Sequence, residues 1–105
     1  LPPYSPFNLE LEKPMRLTKH LRLHGSVQGV FFRESMSQIA TQLGVTGWVR
    51  NCGNGSLEIM LQGDKSGVAA AIEWAKRGPE FARVDKIEIS DGSGEYTDFK
   101  RLPTL

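Results

Sequence analysis

The chain has 105 residues, 39% of them apolar and 24% charged, enough for one soluble domain with a single core and no room for a second. Thirteen basic and 12 acidic residues leave a net charge of +1, so no global field draws the chain to nucleic acid or an anionic membrane, and any anion site has to be local. Cys52 is the only cysteine, which rules out an internal disulfide and makes a cysteine-based metal cluster implausible; the apolar runs are too short for a transmembrane helix.

Leu1 to Pro14 carries Pro2, Pro3, Pro6 and Pro14 and shows no periodicity, and Met15 follows it as a natural start. Residues 1–18 are therefore expected to form an extension, flexible or artificially added, ahead of a domain over 19–103. The N-terminus lacks the basic start and apolar centre of a secretory signal, so the expected location is cytoplasmic. From Lys19 the pattern becomes regular. His20-Leu21-Arg22-Leu23-His24 alternates polar and apolar, the mark of a half-buried strand, and Gly25 ends it. Phe32, Met36, Ile39, Ala40 and Leu43 recur at helical spacing, with Gly44 placed as a C-terminal cap. Val45 to Asn51 reads as a second strand, Gly53-Asn54-Gly55 as a hairpin turn, and Ser56 to Gln62 as a third strand with Leu57, Ile59 and Leu61 on one face.

Asp64 is a suitable N-cap for a second helix with Val68, Ala71, Ile72 and Ala75 as its apolar stripe, stopped by Gly78-Pro79. Val84, Ile87 and Ile89 mark a fourth strand, and Tyr96 to Lys100 allows a short last one. The order is βαββαβ, with one apolar face per strand and one stripe per helix. Such elements bury their faces most economically as an α+β, ferredoxin-like two-layer sandwich, an antiparallel sheet with two helices on one face and water on the other.

The segment Gly25-Ser26-Val27-Gln28-Gly29-Val30-Phe31-Phe32-Arg33 joins the first strand to the first helix. Glycines there permit backbone conformations that turn consecutive N–H groups inward, forming a concave nest that leads into a helix N-terminus and attracts an oxyanion. Arg33, in the first helical turn, can add two charge-assisted hydrogen bonds to a phosphoryl group. The spacing alone is equally that of a tight turn with a surface arginine. It is not a nucleotide P-loop, because no Lys follows the second glycine. Asn51, at the end of Gly47-Trp48-Val49-Arg50-Asn51, reads by itself as a turn residue.

Together the two segments resemble a known family. The first is similar to the acylphosphatase motif G-x-V-Q-G-V-x-F-R, and the second, with Gly55-Ser56-Leu57-Glu58 after it, to that family's G-W-V-x-N and downstream G-S-V-E. The resemblance runs from about Leu21 to Ile89 and departs mainly in Leu57, where the family has Val. It implies a ferredoxin-like fold and hydrolysis of acyl phosphates to a carboxylate and inorganic phosphate. It further implies that the backbone of Ser26, Val27, Gln28, Gly29, Val30 and Phe31 cradles the phosphate, that Arg33 binds it, and that Asn51 orients the attacking water. No cofactor or metal is expected, and the partner is a small-molecule acyl phosphate rather than nucleic acid or membrane, with a monomer as the family default.

Other readings are weaker on the residues themselves. His20 and His24, four apart on a strand, stand about 13 Å apart at ~3.3 Å per residue, too far to share one ion. Trp48 and Trp74 read as packing residues. RNA-recognition modules share the βαββαβ order but need stacking aromatics on the exposed face of the first and third strands, where this chain has His20, Arg22, His24, Glu58, Met60 and Gln62. Similar motifs occur in domains of larger carbamoyl phosphate-processing enzymes; the length here favours a free-standing hydrolase.

Overall fold

The structure, a computed structural model, describes residues 15–105; of the extension expected over residues 1–18, residues 1–14 lie outside them, whereas Arg16, Leu17 and Thr18 belong to the sheet and not to an extension. The elements in chain order are β1 (Arg16–Ser26), α1 (Phe32–Gln42), β2 (Thr46–Asn51), β3 (Leu57–Asp64), α2 (Lys65–Arg77), β4 (Arg83–Asp91) and β5 (Phe99–Arg101). The sheet runs β4-β1-β3-β2-β5. β1 starts ahead of the alternation visible from Lys19, because Arg16, Leu17 and Thr18 pair with Asp64, Gly63 and Gln62 of β3. β1, β2, β3 and β4 pair antiparallel, as expected, whereas β5 lies parallel to β2, so the sheet is mixed.

One core fills the space between sheet and helices. Leu21 and Leu23 of β1, Val49 of β2, and Leu57, Ile59 and Leu61 of β3 meet Phe32, Met36 and Ala40 of α1 and Val68, Ala71 and Ala75 of α2, all buried. The helical stripes of the sequence are thus the packed stripes, with Ile39 and Ile72 half-buried at their margins, except that Leu43, the last residue before Gly44, is exposed. α1 ends as its Gly44 predicts: φ is +70°, and the amides of Gly44 and Val45 return to the carbonyls of Thr41 and Ala40 at 3.2 and 2.8 Å. Asp64 occupies the N-cap of α2 but makes no side-chain capping bond; instead the Lys65 amide donates to the Met15 carbonyl at 2.7 Å.

The apolar residues of β4 have an odd spacing, Val84 then Ile87 then Ile89, that simple alternation does not produce. A bulge accounts for it. Gly25 pairs with Val84 but His24 with Lys86, leaving Asp85 as the extra residue, so Val84, Ile87 and Ile89 oppose Gly25, Leu23 and Leu21 on the inner face. Gly25 (φ +128°) is required at this junction, since a Cβ there would run into the Arg83 carbonyl oxygen. The close approach turns the chain off the end of β1 and into the loop that precedes α1.

The face away from the helices is less open than the alternation suggests. β3 is central, and its outward residues Glu58, Met60 and Gln62 are buried beneath long side chains from both neighbours. Glu58 accepts from His20 Nε2 at 2.6 Å, Arg50 Nε at 2.6 Å and Arg22 Nη2 at 3.4 Å. Trp48 stands on this face too, with the Arg50 guanidinium 4.7 Å above its ring centre and His20 edge-on. Trp74 packs edge-to-face on Phe32 at 5.5 Å, in the core. Burial pushes the Glu58 carboxyl up, but the hydrogen bonds from His20 and Arg50 and the charges of those residues outweigh it and hold the carboxyl below its ordinary 4.5.

A carboxyl lowered in the folded state contributes its stability fully above its unfolded value and loses it as pH falls through the folded value. Below about pH 4.5 the wild type should therefore lose stability along a slope that Glu58→Gln lacks. At pH 7 the variant, which strands three basic side chains around a neutral amide, should be less stable by about 3 kcal/mol in urea melts. Matching acid limbs in the two proteins would contradict this assignment.

Candidate active site

The loop between β1 and α1, like the start of α2, opens its helix without a side-chain cap. Phe31 is the N-cap, in the left-handed region at φ 62°, ψ 26°, and no side chain bonds the first helical amides. A left-handed conformation costs a residue with a Cβ about 1–2 kcal/mol. Gly29 is also left-handed, at φ 73°, while Gln28 and Val30 are not. Alternating handedness of this kind curls the chain so that successive N–H groups point to one centre. Among the described residues, the amides from Gln28 to Glu34 have no protein acceptor, and the first backbone bond of the helix is from the Ser35 amide to the Phe31 carbonyl, 3.0 Å.

Three contacts hold this loop in shape. Val27 is buried in the core, and so is Phe32, which fixes the start of α1 against Trp74. Between them the Gln28 side chain reaches across to the β2–β3 turn, where its Nε2 donates to the carbonyls of Cys52 and Ser56 at 2.8 and 2.9 Å. The turn itself is braced by the Cys52 amide on the Ser56 carbonyl and by Asn54 Oδ1, which accepts from the Ser56 amide and hydroxyl. Cys52 is buried, as its small apolar character predicts. Phe31, by contrast, points outward and is 74% exposed.

The result is a cavity of about 350 Å³ lined by Val27, Gly29, Phe31, Phe32, Arg33, Glu34, Asn51 and Arg101. Arg33 and Asn51, from α1 and the end of β2, are thus brought to one cavity wall to wall with the loop. Of the other expected cradle residues, Ser26 is the last residue of β1, and Gln28 and Val30 lie in the loop without lining the cavity. Arg33 Nη1 donates to the Leu102 carbonyl at 3.3 Å, which orients the guanidinium from behind. The Asn51 carbonyl accepts the Leu105 amide at 2.9 Å, so the segment after β5 also steadies Asn51.

The sequence reading did not foresee the Gln28 side chain as a tether, nor Glu34 and Arg101 as lining groups. For Gln28 a signal existed: a carboxamide in the middle of a Gly-flanked loop has both donors and an acceptor with which to cross-link backbone. Arg101 had none, because its place depends on a pairing of β5 with a strand some fifty residues away. No group of three or more His, Cys, Asp or Glu that could hold a metal occurs among the described residues. No helix among them is long and apolar enough to cross a membrane.

Comparison with known proteins agrees with the fold and identifies the family. Residues 19–101 match the family model described as Acylphosphatase. An acylphosphatase of Thiobacillus denitrificans is 50% identical over 84 residues, covering 80% of this chain and 94% of that protein. One from Pyrobaculum islandicum is 51% identical over 89 residues, covering 82% and 94%. The solved acylphosphatase structure from Coxiella burnetii superposes with a TM-score of 0.80 at 35% identity, over 87% of this chain and 96% of that one. With the family model spanning most of its length and relatives at half identity across nearly their whole length, the chain belongs to the acylphosphatase family of hydrolases.

Proposed function

We propose that the chain hydrolyses the carboxyl–phosphate bond of acyl phosphates by in-line attack of a water held by Asn51 on a phosphoryl group held by Arg33 and the amides of residues 26–31. The observation that carries this reading is the cavity in which a guanidinium, a carboxamide and a curled run of unaccepted amides meet.

The chemistry asks for little more. Breaking the bond between phosphorus and the acyl oxygen releases a carboxylate, a weak base that leaves without a general acid. What remains is to place a water opposite that oxygen and to stabilise charge on the three equatorial phosphoryl oxygens. The loop amides and Arg33 supply fixed donors that need not reorganise during reaction. Asn51 does not titrate, so it orients the water and removes no proton; the proton passes to a phosphoryl oxygen as the new P–O bond forms. The products are a carboxylate and inorganic phosphate. Arg33 carries the charge work here without a metal ion, and the reading is of a monomer acting on a small molecule, in the cytoplasm.

Arg33→Ala should lose both phosphate binding and turnover, with kcat/KM for benzoyl phosphate down about 1,000-fold. Asn51→Ala should bind inorganic phosphate within about twofold of wild type while kcat falls about 100-fold; wild-type kcat in that variant would refute the water-orienting role. Gln28→Ala should fold and yet turn over about tenfold more slowly, because the loop loses its tether to the turn beside Asn51. Extended EDTA dialysis should leave the rate unchanged, and an absolute requirement for an added divalent ion would overturn the metal-free account.

A further inference from the structure

Arg101 is a second guanidinium on the wall of the cavity and has no part in the reaction as derived above. Its position follows from register. In the parallel pair of β2 and β5, Val49 lies opposite Arg101, and side chains at matched positions project to the same face of a sheet. Val49 is fully buried against the helices, and Phe99, two residues before Arg101, packs on the same core. Arg101 therefore projects to the helix-covered face, at the edge strand, as does Asn51 two residues beyond Val49. The bond from Arg33 to the carbonyl of Leu102 fixes the backbone beside Arg101 relative to Arg33.

The cavity sets two guanidiniums against one carboxylate. Arg33 and Arg101 line the cavity together, and they also line the adjoining hollow with Leu102 and Pro103. Glu34 is the one carboxylate among the lining residues, and neither it nor any other acidic group of the described residues forms an ion pair with Arg101. Two guanidiniums held to one cavity, one of them without a partner, favour a ligand with more than one anionic group. A phosphoryl group gripped by the loop and Arg33 leaves its acyl part to the remaining lining, in which Arg101 is the one cation.

The geometry points to Arg101 as a specificity-determining residue that selects acyl phosphates whose acyl part carries its own carboxylate or other anion. This rests on the reading above, that the loop and Arg33 hold the phosphoryl group. What it adds is the residue that sets a preference among acyl phosphates, favouring those of dicarboxylic acids.

Titration calorimetry with two non-hydrolysable analogues tests it, each with a methylene in place of the bridging oxygen. Acetonylphosphonate has an uncharged acyl part; 4-oxo-5-phosphonopentanoate ends in a carboxylate. The wild type should bind the second about fivefold more tightly, a size proper to a partly solvated ion pair. Arg101→Ala should bring that ratio to about one, Arg101→Lys should keep most of it, and Arg101→Glu should reverse it. A loss of packing would weaken both analogues alike and leave the ratio in place. A ratio near one in the wild type, or one unchanged by Arg101→Ala, overturns the inference while phosphate binding stands. Failure of inorganic phosphate itself to bind overturns the phosphoryl grip and the inference with it. A preserved ratio in a protein that does not hydrolyse acetyl phosphate supports the subsite and counts against the hydrolytic reading alone.

Discussion

Hydrogen bonds that the protein leaves unmade govern this structure. Helix α1 opens with amides that no side chain or carbonyl among the described residues takes up, where a capping residue would ordinarily stand. An unsatisfied helix start is tolerable only where water or a ligand can reach it, and here it faces a cavity. To keep it that way the chain accepts a left-handed Phe31 and then over-determines the loop around it. Val27 and Phe32 are sunk in the core, and Gln28 is tied to the neighbouring turn. Strain of this kind persists only when surrounding packing leaves no alternative. The core of this small domain therefore serves two ends at once, cohesion and the shape of the cavity into which these amides open.

The opposite face of the sheet shows how the rest of the molecule supports that cavity. Asn51 ends β2, and its position depends on the register of β2 with β3, where Arg50 pairs with Glu58 and Asn51 with Leu57. Glu58 gathers His20, Arg22 and Arg50 into one network across three strands. Slipping the register by one residue would send Asn51 to the far face and bury a charge among apolar side chains. The ionic cluster and the hydrophobic core thus enforce the same alignment from two sides, and the carboxamide inherits it.

Much of this was legible in the sequence, and what was legible shared a property. Helix α1 with its Gly44 cap, the Gly53–Gly55 turn and the alternation in β1 and β3 are each specified by residues close together in the chain. The candidate residues Arg33 and Asn51 came from motif resemblance, and the structure sets both on one cavity. The features that escaped depend on distant pairing. β5 is three residues long, too short to show a period, and its parallel direction is decided by where the loop after β4 delivers it. The bulge at Asp85 left a trace in the spacing of Val84 and Ile87, though spacing alone does not say which strand would bulge against it. The burial of Glu58 and Gln62 follows from β3 being central, a property of strand order and not of any local stretch.

The last stretch of chain carries one more consequence. Arg101, the carbonyl of Leu102 that receives Arg33, and the amide of Leu105 that receives Asn51 all lie within five residues, after every other element has been laid down. Clipping the chain after Lys100 would leave β1 through β4 and the apolar interior whole while taking all three of these contacts away. Cohesion of the domain and completeness of the cavity wall are therefore separable properties of one small molecule.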